Sequence, residues 1–96
     1  MPQSVARVST DQPERYLKQL VSHLGHRLST EVLADGQGVI RFDRGQCLLT
    51  TDPQTLVLTA SAADDEELRH VQDVVARHLE RFGTRGGIQV SWSTSS

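Results

Sequence analysis

Two stretches of this chain carry their apolar side chains on a single helical stripe, and a helix of that kind must find one apolar surface to cover it. In the first, Leu17, Leu20, Val21, Leu24 and Leu28 recur at helical spacing, while Glu14, Lys18, Gln19, Ser22 and His26 fall largely away from them. In the second, the stripe is Leu68, Val71, Val75, Leu79 and Phe82, flanked by Val74 and His78. Thr10 and Asp11 are candidate caps for the first helix, ahead of Pro13 and Glu14 in its opening turn, and the helix is expected to end around residues 25–27. The second opens on Asp64, Asp65, Glu66 and Glu67, which complement the positive end of a helix dipole, and Gly83 is its expected stop.

Between the helices the chain turns every few residues, at 35–38, 43–45 and 52–54, with the Gly, Asp and Pro residues that tight turns need. The segments 31–34, 39–42, 46–51 and 55–61 then read as a four-strand antiparallel meander. Its last member alternates most cleanly, with Leu56, Leu58 and Ala60 opposed to Thr55, Val57 and Thr59. Segments 5–9 and 88–92 supply a first and a last strand, giving the order β-α-β-β-β-β-α-β. The expected fold is α+β, one antiparallel sheet with both helices packed on one face. The other face, carrying Arg41, Thr59, Gln89 and Ser91, is left to water, a ligand or a second subunit. Residues 1–96 read as one domain, with 93–96 a frayed tail.

Composition narrows the function classes. Twelve acidic and ten basic residues are intermixed, for a net charge of −2, so no basic stripe is available to a nucleic acid. Cys47 is the only cysteine, which excludes an internal disulfide and a cysteine-rich metal cage. The N-terminus lacks the apolar core of a signal peptide, and no run approaches the ~20 apolar residues that span a bilayer. A cytoplasmic protein with no membrane partner is the reading. There is no Gly-x-Ser-x-Gly, dinucleotide or phosphate-loop pattern, and 84–87 reads as a turn rather than an anion cradle.

The candidate chemistry rests on imidazoles. His78 is the one titratable side chain that the helical pattern turns inward, and a buried imidazole needs a partner, in the plainest case a backbone carbonyl or a hydroxyl on the sheet. His23 and His26, three residues apart, can reach one metal ion from one helix, although a pair near a helix C-terminus is also favoured there simply as positive charge. Cys47 is either a soft further ligand or a small apolar filler in a half-buried strand. The candidate metal ligands are therefore His23, His26 and His78, and no residue is assigned a catalytic role.

Several ordered pieces of the chain resemble a small bacterial family, domain of unknown function 2218: Ala6-Arg7-Val8, Tyr16 to Leu20 leading to His23 and His26-Arg27, Gly45 and Cys47, and His78-Leu79-Glu80-Arg81-Phe82 before a short Trp-containing strand. The resemblance implies no established activity. It implies a context in iron or siderophore handling, with a siderophore-interacting, flavin-dependent reductase as partner. The first functional reading is a non-catalytic accessory or binding module, homodimeric through its open sheet face. The alternative is a histidine-based metal-binding domain serving such a flavoprotein. A small enzyme working between helices and sheet is the third. No cofactor is named by the sequence.

Overall fold

The computed structural model describes residues 2–82, 88 and 90–95, with the side chains of Phe82, Thr94 and Ser95 outside that description. The elements run β1 (Gln3–Ser9), α1 (Pro13–Leu24), β2 (Ser29–Val32), β3 (Gly38–Phe42), β4 (Gly45–Asp52), β5 (Thr55–Ala62), α2 (Asp65–Phe82) and β6 (Trp92–Ser95). All six strands join one antiparallel sheet in the order β2-β3-β4-β5-β1-β6. The meander is there as expected. The first strand then inserts between β5 and β6, so the core is a β-α-β-β-α-β arrangement of β1, α1, β4, β5, α2 and β6, widened at one edge by the β2–β3 hairpin.

Both helices pack on β4 and β5 and touch each other, which places them on one face. Register explains why that face accepts them. Ile40, Cys47, Ala60 and Ser4 form one cross-strand row, and Gly38, Leu49, Leu58, Ala6 and Trp92 the next. Leu17, Leu20, Val21 and Leu24 of α1 and Leu68, Val71, Val75 and Leu79 of α2 close over these rows and are buried. The residues beneath α2 are small, so the helix comes close: a Cβ on Gly45 would lie 3.0 Å from Val71 Cγ2 and 2.7 Å from the Ser61 carbonyl oxygen. α1 sits equally near Gly38, where a Cβ would lie 2.9 Å from Val21 Cγ2. Ser4 is fully buried and satisfied across the layers, its Oγ accepting from Gln72 Nε2 of α2 at 2.6 Å.

Among the described residues, no helix covers the opposite face. Arg41 and Thr59 stand on it as expected, and Arg41 pairs with Glu31 at 3.2 Å, a half-exposed contact worth under about 1 kcal/mol. Gly83, residues 84–87, Gln89 and Ser96, to which the sequence gives a helix stop, a turn, a place on the open face and a chain end, lie outside the described residues.

Three local expectations are corrected. Neither Thr10 nor Asp11 caps α1: Gln12 holds the cap position with no side-chain hydrogen bond, while Thr10 Oγ1 accepts from the Gln12 amide at 3.1 Å in the preceding turn. The second strand is 29–32 rather than 31–34, because the turn is wider than its Asp35-Gly36 signal, closing from the Leu33 amide to the Gln37 carbonyl at 2.7 Å. Ser93, Thr94 and Ser95, expected in a frayed tail, pair with Val5, Ser4 and Gln3 as strand β6. Ladder hydrogen bonds come from the main chain, so a polar segment beside an open edge can extend a sheet. The alternating Ile88, Val90 and Trp92 mark packing against the core; of the three, only Trp92 is in the ladder.

Candidate functional site

α1 and α2 meet at a cleft of about 550 Å³ near the end of α1. From α2 it receives His70, Val74, His78 and Arg81, spaced i, i+4, i+8 and i+11, which is one stripe along the helix flank. From α1 and the turn after it come His23, Leu24, His26, Arg27 and Leu28, and from the end of β3 comes Phe42, on the same sheet face as Ile40. The apolar members and His78 are buried or half-buried, whereas His23, His26, Arg27, His70 and Arg81 are exposed. The cleft thus has an apolar floor and a rim of imidazole and guanidinium.

The three sequence-nominated histidines all line this cleft, so the structure brings them together. His23 and His78 are closest, with ring centroids 5.1 Å apart and planes tilted by 50°. His78 is half-buried rather than sealed in the core. Its Nδ1 lies 2.7 Å from the Val74 carbonyl oxygen one turn back, the backbone partner that its position called for. A carbonyl only accepts, so Nδ1 carries the proton, and Nε2 is the nitrogen left to accept a hydrogen bond or a metal. His26 is on the exposed rim after the helix end. Among the described residues, no group of three or more His, Cys, Asp or Glu side chains has the spacing to hold a metal ion.

Cys47 is not in the cleft. It is fully buried in the core row between Ile40 and Ala60, so the titratable side chain forced furthest inward is this thiol and not His78. Burial pushes the thiol up from its ordinary 9.0 to about 12, with a smaller opposing pull from the Thr59 backbone. Of the two sequence readings, the apolar filler is the one that this position supports.

Sequence reasoning missed Arg27 and Arg81 as site residues, and it also missed His70 and Phe42. Their rings meet edge to face, with centroids 5.8 Å apart and an interplanar angle of 82°. For His70 a signal existed, since His70, Val74 and His78 repeat every four residues. For Phe42 none did, because a strand end shows no periodicity that distinguishes a cleft wall from core.

Helix electrostatics account for part of this gathering. His23 is in the last turn of α1 and Arg81 in the last turn of α2, where positive charge complements the dipole. His70 is different, because it lies in the second turn of α2, towards the positive end. A more open depression of about 610 Å³ lies between the start of α1 and the β4–β5 turn, but it mixes Asp11, Glu14 and Asp52 with Arg15 and gathers no comparable chemistry.

Among solved structures, the chain is similar to the NMR structure of PA4090 from Pseudomonas aeruginosa, with a TM-score of 0.80, 30% sequence identity and coverage of 97% of this chain and 96% of that one. It also matches a de novo designed protein with a ferredoxin fold, with a TM-score of 0.60, 11% identity and coverage of 99% and 84%, a likeness of fold alone. That likeness agrees with the β-α-β-β-α-β core described above. No curated protein matches the chain. A family model described as an uncharacterized protein conserved in bacteria, DUF2218, matches residues 5–93, and the chain belongs to that family.

Proposed function

We propose that this protein is a non-catalytic binding module and that the cleft between α1 and α2 is its ligand site. One observation carries the reading: all four histidines of the chain, with Arg27 and Arg81, gather around a single hollow floored by Leu24, Leu28, Phe42 and Val74. The volume lies within the roughly 300–1,000 Å³ of small-molecule sites, and an apolar floor with a few convergent polar groups is their usual make-up. Among the described lining residues none carries a hydroxyl, thiol or carboxylate, so they include no alcohol or thiol for an imidazole to activate and no carboxylate to orient an imidazole as a base. The test is a residue-resolved NMR screen of a small-fragment library against the untagged chain. Hits should concentrate on the amides of His23 to Leu28, Phe42 and His70 to Arg81; hits confined to other surfaces overturn the reading.

A second reading, metal binding with His23 and His78 as two ligands and His26 swung in from the rim as the third, is favoured by the 5.1 Å approach of the His23 and His78 rings. Imidazoles without carboxylates suit zinc, copper or nickel better than magnesium or calcium. Elemental analysis after zinc loading should find about one ion per chain and its loss in both His23→Ala and His78→Ala; unchanged metal content in those variants rejects it.

A further inference from the structure

Taking the cleft as a ligand site, and resting on that reading, we infer that it selects a small aromatic anion, a planar ring bearing a carboxylate. The charge argument comes first. This chain has more acids than bases, yet no Asp or Glu is among the described residues lining the cleft, where two guanidiniums and four imidazoles stand. The acids of α2 fall off the lining stripe: Asp73 and Glu80 are not among the lining residues, and Glu80 Oε2 accepts from the Val90 amide at 3.3 Å. A cationic ligand would meet only positive or neutral groups. A neutral apolar ligand would strip water from the rim and give it no partner, which is costly for polar groups. An anion meets both conditions, and the Arg27 guanidinium, exposed at the rim, presents the planar fork that matches a carboxylate.

The shape argument adds the ring. Phe42 and His70 meet edge to face, and His23 and His78 form a second ring pair across the α1–α2 junction. With Leu24, Leu28 and Val74 between them, the cleft has flat π surfaces over an apolar base. A hydrated inorganic anion makes no use of such a base, whereas an aromatic ring packs on it and stacks or meets ring edges, an interaction worth something beyond area alone. The carboxylate then sits at the rim near Arg27 while the ring lies on the floor.

The experiment compares benzoate, benzamide and inorganic phosphate by NMR titration of the full chain, following the amides of Arg27, Phe42 and His70. Benzoate should shift these resonances saturably, with benzamide and phosphate each weaker by about tenfold or more, the size of one charge-assisted contact or one buried ring. Arg27→Gln, a surface change whose spectrum away from the cleft should match the parent, should weaken benzoate by about tenfold and leave benzamide unmoved. If benzamide binds in the cleft as well as benzoate, the ligand site stands and the anion is wrong. If phosphate matches benzoate there, the site stands and the aromatic requirement is wrong. If none of the three shifts the cleft, or all act elsewhere, both the ligand class and the site fall.

Discussion

At Cys47 the physics of a single side chain sets two measurable properties. The thiol lies between Ile40 and Ala60 with no exposed surface, its Sγ 4.0 Å from the Leu48 carbonyl, and burial raises it to about 12. Reactivity requires the thiolate, so alkylation by iodoacetamide at pH 8 should proceed only as fast as the protein unfolds. The linkage has a definite sign. Between pH 9 and about 12 the unfolded thiol ionises while the native one keeps its proton, so the native state loses stability as pH rises, by about 1.4 kcal/mol per unit, and the effect is absent below 9. Urea unfolding at pH 8 and pH 10 should therefore show a larger loss in the parent chain than in Cys47→Ala; equal losses would refute the assignment. The sequence could read a lone strand cysteine as filler because that inference needs only burial. It could not place the thiol away from the histidines, because Cys47 shares its sheet face with Phe42 and only the placement of the helices over that face decides which residues the cleft reaches.

Helix placement is decided by what lies underneath. α2 approaches the sheet over Gly45, Ala60, Ala62 and Ser4, and α1 over Gly38. The two glycines differ in what a methyl group would strike. At Gly45 it meets the Ser61 backbone carbonyl at 2.7 Å, which can move only with the strand; at Gly38 it meets the ends of Val21 and Leu17 at 2.9 and 3.1 Å, which can turn aside. Gly45→Ala should thus lose about 1–3 kcal/mol and Gly38→Ala less, measured by chemical denaturation. A Gly45→Ala loss no greater than that of Gly38→Ala would show that α2 rides higher than described. Both helices were legible in the sequence because each has one apolar stripe. For α2 the opening was legible too, and Asp64 Oδ1 accepts from the Glu67 amide at 2.8 Å as an N-cap should. Strand ends were not, as 93–95 shows: alternation reports burial, and these residues are held by main-chain pairing to β1.

The fold as a whole was legible as far as one sheet covered by two helices on one face, since two single-stripe helices in a 96-residue chain leave little else to cover them. The strand order was not, because neither β5–β1 nor β1–β6 pairing leaves a local trace. The same holds for the meeting of His23, Phe42, His70 and His78, which requires α1 and α2 to lie side by side. The Ser4–Gln72 bond joins residues 68 positions apart and links the inserted strand to α2. Ser4→Ala and Gln72→Ala should each cost about 1 kcal/mol, and the double variant less than the sum. Additive losses would mean that the two side chains do not act as a pair.

The position of β1 also governs the timing of folding. Its partners on β5 are about 50 residues downstream, a delay of roughly 3–10 s at ordinary rates of protein synthesis, and its second neighbour emerges later still. Until then a nascent chain holds Val5, Ala6 and Val8 without the ladder that hides them. Such dependence on distant pairing makes slow refolding, on the millisecond-to-second scale, the natural expectation for this protein.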